Sequence, residues 1–249
     1  MQVAVMRFTG RTAESLAVLL LVAGCAAHTE FGMESPGRPS ITWQGEAPEA
    51  APTPTAQTQK KAEDALQAEL RDAERQGTDE LALASTLYNL AILRRQQGQL
   101  DEAGQLYRRG LEIRERKQGP NHPDVAAVLN NLAALEAARG SYDAAQPLLE
   151  RALTIRETVL GDEHILTAES MNNLALLYAA QGNAAAAEPL YQHAIAVLEK
   201  AGGSGNGELD RVLDNYAALL YDTGRDTKAQ EIEARARLIR AAPAPDAGR

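Results

Sequence analysis

The stretches LNNLAALEAARG (residues 129–140) and MNNLALLYAAQG (residues 171–182) lie 42 residues apart and follow one plan: an apolar residue, two asparagines, then leucines and alanines up to a glycine. Ala and Leu are strong helix formers and asparagine is a mediocre one. An ordinary amphipathic helix would place Glu or Lys at Asn130 and Asn131, and again at Asn172 and Asn173. Something other than helix propensity therefore selects the pair.

Working outward, three columns keep the same spacing through four copies without insertion. They are Asn89, Asn131, Asn173 and Asn215; Gly98, Gly140, Gly182 and Gly224; and Ala103, Ala145, Ala187 and Ala229, each 42 residues from the last. This is an internal repeat. Each copy reads as two helices. The first carries apolar residues at helical spacing, as in Leu129, Leu132 and Ala133, and ends at the column glycine, a natural left-handed terminus. The second starts just after it and runs to Gly119, Gly161 or Gly203, with acidic residues near its start to suit the helix dipole.

A period of 42 falls in the range of HEAT and armadillo repeats, so length alone does not decide the architecture. Small residues do. Where two helices of a hairpin cross closely the side chain must be small, and the chain supplies Ala91, Ala103 and Gly110, then Ala133, Ala145 and Ala152, then Ala175, Ala187 and Ala194, then Ala217, Ala229 and Ala236. Between them sit the fillers Leu87, Leu129, Met171 and Leu213, and Tyr107, Leu149 and Tyr191. Small and large alternate on facing surfaces, as close packing requires.

These residues resemble the tetratricopeptide repeat family in its 42-residue, kinesin light chain variety. The resemblance is carried by AsnAsnLeuAla at 130–133 and 172–175, GluProLeuTyr at 188–191, ArgAlaLeu at 151–153 and GlyProAsnHisPro at 119–123. It implies an all-α fold, a right-handed superhelical solenoid of antiparallel helix hairpins. The expected repeats span 79–119, 120–161, 162–203 and 204–240, preceded by a capping half-repeat at 58–77 that carries Ala62, Leu66 and Leu70. In the last copy Glu233 replaces the aromatic column and Arg237 a leucine, which gives the polar outer face a terminal repeat needs. The tail, 241–249, is expected to be disordered.

The N-terminus reads differently. Arg7 and Arg11 precede an apolar core, Leu16 to Ala23, too short to span a bilayer. Val22-Ala23-Gly24-Cys25 resembles the bacterial lipobox, which implies cleavage of residues 1–24 and a lipidated Cys25, the only cysteine of the chain. Cysteine at 25 followed by Ala26 and Ala27 is also an acceptable ordinary signal-peptidase site; the order of apolar core, small pair and cysteine favours the lipobox. With Ala26 rather than Asp after the cysteine, the resemblance implies the outer membrane, facing the periplasm. Residues 25–57 hold Pro36, Pro39, Pro48, Pro52 and Pro54 and little apolar periodicity, so they read as a disordered tether. Such a coil spans about 30 Å on average and about 100 Å when extended. Trp43 in this tether is open to two readings, a docking anchor or a solvated side chain.

The 249 residues carry 25 Lys and Arg against 34 Asp and Glu, a formal charge of -9, with no basic block. This argues against nucleic acid or an anionic lipid surface as the main partner. Only 4% of the residues are aromatic, which suits close-packed helices better than a sheet sandwich. No GxSxG, phosphate-binding loop followed by Lys, or HExxH occurs. His122 and His164 share one column at a hairpin start, where capping or packing is expected of them. The chain is thus expected to be no enzyme and to need no metal, small-molecule substrate or cofactor beyond the lipid on Cys25.

What remains is binding. In tetratricopeptide domains the first helices line a concave surface that holds an extended peptide. By that resemblance the groove residues here are Tyr88, Asn89, Arg95, Asn130, Asn131, Asn172, Asn173, Arg211, Asn215 and Tyr221. An asparagine amide both donates and accepts, so a row of them suits the main chain of an extended ligand. For the column Asn89, Asn131, Asn173 and Asn215 a second role is equally open, locking one repeat to the next. Asn130 and Asn172 are absent from the outer copies, which have Tyr88 and Asp214, and are expected to touch the ligand. The groove lacks lysine, which argues against a clamp for a terminal carboxylate. The expectation is a lipid-anchored scaffold for a protein of the cell envelope; the alternative is an accessory subunit of an envelope-assembly or peptidoglycan-processing complex that docks through its convex face.

Overall fold

The computed structural model describes residues 56–76, 79–202 and 207–241. The signal sequence, Cys25, the Pro-rich tether with Trp43, Gly77, Gly203 and the tail beyond Ala241 lie outside the described residues. Among the described residues there are nine helices and no strand. They are α1 (Ala56–Gln76), α2 (Glu80–Gln96), α3 (Leu100–Gln118), α4 (Pro123–Ala138), α5 (Tyr142–Leu160), α6 (Ile165–Ala180), α7 (Ala184–Lys200), α8 (Glu208–Asp222) and α9 (Asp226–Ala241). None is long and apolar enough to cross a membrane.

The hairpins are α2–α3, α4–α5, α6–α7 and α8–α9, and each turn is set by the column glycine. Gly140 adopts φ +77°, and the residue after it, Ser141, donates its N–H to the carbonyl of Glu136 five positions back at 2.9 Å. Gln99, Asn183 and Arg225 make the same bond to Arg94, Tyr178 and Leu220. Only glycine takes this left-handed conformation without steric cost, so one residue type at one spacing yields four equivalent turns.

Close crossing follows from the small columns. Ala91, Ala103, Ala133, Ala145, Ala152, Ala175, Ala187, Ala194, Ala229 and Ala236 are fully buried, and Ala217 is nearly so. Gly110 shows the tolerance: a Cβ there would stand 3.4 Å from the carbonyl oxygen of Ala84. Tyr107, Leu149 and Tyr191 fill the spaces between, each with no exposed surface.

Successive hairpins stack through contacts of α3 with α4, α5 with α6 and α7 with α8. First helices also touch one another, α4 with α6 and α6 with α8, so the row of first helices is the inner side of the stack. Helix α1 packs on α2 as a half-repeat, and α9 closes the other end on α8. Arg237 and Leu238 of α9 are 70% and 73% exposed, so the polar outer face retains one bare leucine.

Candidate peptide-binding groove

The inner row places the ten groove candidates on α2, α4, α6 and α8, and the stack uses most of them itself. Asn131 is the hub of the first joint. Its amide donates to the Tyr88 hydroxyl at 2.9 Å and to the Ala127 carbonyl at 3.0 Å, and its carbonyl accepts from Arg95 at 3.3 Å. Tyr88 is held further by an edge-on contact with Tyr107, centroids 5.6 Å apart, and by the Arg114 guanidinium over its ring. Tyr88, Arg95 and Asn131 therefore tie repeat 1 to repeat 2.

At the last joint the Asn215 amide donates to the Asn172 carbonyl at 3.0 Å, with both residues buried. The two outer joints thus share a rule: the column asparagine of one repeat bonds the residue 43 positions earlier. At the middle joint the same offset would pair Asn173 with Asn130. That rung is not made. Asn130 instead donates to the hydroxyl of Ser170 at 3.1 Å, and its carbonyl oxygen is buried without a donor.

The expectation for Asn130 and Asn172 is corrected here. They are 7% and 2% exposed and face the neighbouring repeat, not the open groove. A buried amide in an apolar stack must find a partner. These two find one in Ser170 and Asn215. Arg211 and Tyr221 are also engaged, with Glu208 at 2.7 Å and Glu233 at 3.2 Å. Asn89, exposed, and Asn173, half-buried, have no side-chain hydrogen bond among the described residues. Three residues after each column asparagine stand Ile92, Ala134, Leu176 and Ala218; Ile92 and Ala218 are half-buried, and Ala134 and Leu176 are 4% exposed.

A second polar column was not read from the sequence. Arg114, Arg156 and Arg240 stand at one position near the ends of second helices, with Leu198 in the third copy. Arg156, 4% exposed, donates to the Leu166 carbonyl at 2.5 Å, to Glu169 at 3.0 Å and to the Ser170 hydroxyl at 3.0 Å. Ser170 thus accepts from both Asn130 and Arg156, which joins repeats 2 and 3 through a buried polar network. Arg114 pairs with Asp124 at 2.7 Å, and Arg240 with Asp214 at 2.6 Å and Asp210 at 3.2 Å. The repeated IleArgGlu at 113–115 and 155–157 was the available signal. Burial pushes the Asp214 carboxyl above its ordinary value, against the pull of Arg240.

On the outer side, second helices are bridged by ion pairs: Arg109 with Glu74 at 2.7 Å, Arg151 with Glu115 at 2.6 Å, and Arg235 with Glu199. Such exposed pairs contribute at most about 1 kcal/mol each. Glu188 of α7 gathers the Tyr216 hydroxyl at 2.7 Å and Arg225 at 2.8 Å, and these hold its carboxyl below the usual range. Among the described residues no group of three or more His, Cys, Asp or Glu could hold a metal ion. His122 and His164 cap α4 and α6, as their column position suggests.

Residues 57–116, 82–158, 124–200 and 167–242 each match the tetratricopeptide repeat family. Among solved structures, BtubC (BKLC) from P. vanneervenii is similar at 25% identity, over 77% of this chain and 78% of that one, with a TM-score of 0.66. A protein of Podosopora anserina, described as a kinesin light chain with nearly identical TPR-like repeats, is similar at 24% identity over 74% of this chain and 88% of that one. Its TM-score is 0.62 in the crystal structure of a single-residue variant and 0.60 in another crystal structure. No curated protein matches the chain at a significant level. The overlapping family matches run from α1 to α9 without a gap, and the chain belongs to the tetratricopeptide repeat family.

Proposed function

We propose that this chain is a membrane-anchored, non-enzymatic scaffold whose inner groove holds an extended segment of a cell-envelope protein. The repeat family is a protein–protein interaction scaffold; the anchor, the compartment and the groove's occupant are our own reading. The observation that carries it is the state of Asn173. In a row where its neighbours are spent on stacking, it keeps a half-buried amide with no side-chain hydrogen bond among the described residues. An amide so placed can donate to and accept from an extended main chain. The anchor rests on the lipobox resemblance at Cys25, and the Pro-rich stretch after it would let the stack stand off the membrane.

A photo-crosslinking residue placed in intact cells at Ala218, on the groove side, and separately at the exposed Thr154 of α5 tests the groove. A discrete adduct from 218 that weakens with Asn173→Ala supports the groove reading. An adduct from 154 alone would replace it with docking through the convex face. For the anchor, Cys25→Ser should abolish acyl labelling and release the protein from membranes; wild-type protein that is soluble and unlabelled would refute it.

A further inference from the structure

The joints between repeats 1 and 2 and between repeats 3 and 4 are built on one column asparagine, and only the first is complete. Asn131 and Asn215 each direct the amide nitrogen at the residue 43 positions earlier, Tyr88 or Asn172. On the other side of the Asn131 amide stands Arg95, 36 positions earlier and 6% exposed, whose guanidinium donates to the carbonyl oxygen at 3.3 Å. The same position opposite Asn215 holds Ala179, which ends at its methyl group and has nothing to donate. Asn215 is 3% exposed, and its carbonyl oxygen is buried without a donor. An amide oxygen in that state is costly.

Asn215, Ala218 and Asp222 follow at i, i+3 and i+7 and share one face of α8. Asp222 is exposed and has no hydrogen bond or ion pair among the described residues. Desolvation raises its carboxyl above the ordinary value, and no cation pulls it back. Its column reads Gln96, Ala138 and Ala180 in the other copies, so the carboxylate belongs to this repeat alone. Arg211 near the start of α8 and Arg225 just after its end are committed to Glu208 at 2.7 Å and Glu188 at 2.8 Å. The joint thus presents two acceptors and no donor, with only the methyl groups of Ala179 and Ala218 beside them.

A cation with donors to spare fits this arrangement. A guanidinium is always charged, carries its N–H donors in a planar fork, and is the group the stack itself uses at the first joint. An ammonium would bring its charge on a compact, strongly hydrated head, and an amide would bring donors without charge. Asp222 lies about 10 Å along the helix from Asn215, about one screening length at moderate salt. Asn173 stands before Ala179 on α6, about 9 Å along the axis, so an extended segment bound through its main chain at Asn173 can reach the joint with a side chain.

We propose that the groove at the joint between repeats 3 and 4 takes an arginine side chain of the bound segment, whose guanidinium donates to the Asn215 oxygen as Arg95 donates to that of Asn131, under the attraction of Asp222. This site rests on the groove reading above and adds to it a residue type and a register. The groove therefore differs along its length. At the first joint the stack fills the place with Arg95; at the last the ligand fills it.

Panning a phage-displayed library of unbiased linear peptides against the full chain tests it. Selected peptides whose binding Asn173→Ala weakens lie in the groove, and an arginine should recur in them at one register. Replacing that arginine with norleucine, which keeps the stem and loses the donors, should weaken binding roughly tenfold. Asp222→Asn should weaken the arginine peptide about threefold and leave the norleucine peptide unchanged. Ala179→Arg should remove the distinction, because the acceptor is then filled from within, and both peptides should bind alike. Groove-bound peptides with no recurrent arginine, or an arginine preference that survives Ala179→Arg, would overturn the site and leave the groove reading standing. Selected peptides that are all indifferent to Asn173→Ala would remove the groove reading and the site with it. A measurement without ligand stands beside these: Ala179→Arg should have a higher urea midpoint than Ala179→Met, which has a long stem and no donor. Equal midpoints would show that the Asn215 oxygen does not face this place, and would overturn the site whatever the library returns.

Discussion

On the packing face of the first helices the column Ala91, Ala133, Ala175 and Ala217 is the same in every repeat and does the same work. Three residues earlier on the same helices, facing the neighbouring repeat, the column reads Tyr88, Asn130 and Asn172, with partners Asn131, Ser170 and Asn215 in turn, and in the last repeat Asp214, which pairs with Arg240 of its own hairpin. Helix crossing distance is one quantity, fixed by the hairpin, and imposes one residue size on all copies. A joint between repeats is a pair, and each pair can be built separately. The packing face therefore records the fold, and the face at the joints records what differs along the stack.

If that contrast is right, mutations on the packing face should behave as a column and those at the joints should not. Leu149→Ala, at a fully buried filler, should cost about 2–5 kcal/mol by cavity formation. Ala133→Leu and Ala175→Leu should cost about 1–3 kcal/mol by overpacking, and by similar amounts; urea unfolding that shows one of them neutral would break the column argument. At the joints, Arg156→Met should cost about 2 kcal/mol, because Ser170 and Glu169 lose a buried donor. Leu198→Arg, which restores the consensus residue in the third copy, should not be stabilising, because Leu198 is 4% exposed in an apolar setting.

A smaller effect is expected at Glu188. The Tyr216 hydroxyl first, and Arg225 second, lower its carboxyl from an ordinary value near 4.5. A depressed carboxylate contributes stability that is full above the unfolded value and is lost as pH falls through the folded one. Glu188→Gln should therefore cost under about 1 kcal/mol at pH 7 and flatten the stability curve below roughly pH 4.5. A variant whose acid limb matches the wild type would show that this joint is not held by the ionised form.

The hairpins, the turns and the small columns were legible in the sequence because each rests on a single-residue requirement repeated at one spacing: glycine where φ is positive, alanine where helices cross. The partition of the asparagines was not. Asn130 and Asn131 are adjacent and chemically identical, and one residue of a helix turns the side chain by about 100°, enough to separate a buried joint from a half-open groove. Absence from the outer copies pointed Asn130 toward a ligand. Its actual partner, Ser170, is one of a kind in its own column, where the other copies carry Thr86, Val128 and Val212. A one-off pair leaves no periodic trace. Arg156 left one, in IleArgGlu, which reads as a solvated charge run until its burial is seen.

The central claim is that neighbouring asparagines on one helix divide the labour of stacking and of binding. Urea unfolding of Asn172→Ala beside Asn173→Ala tests it in one experiment. Removing Asn172 leaves the buried Asn215 amide without its acceptor and should cost about 1–3 kcal/mol. Removing Asn173 breaks no internal bond and should change stability by less than about 0.5 kcal/mol. A neutral Asn172→Ala, or an Asn173→Ala as damaging as its neighbour, would contradict the division.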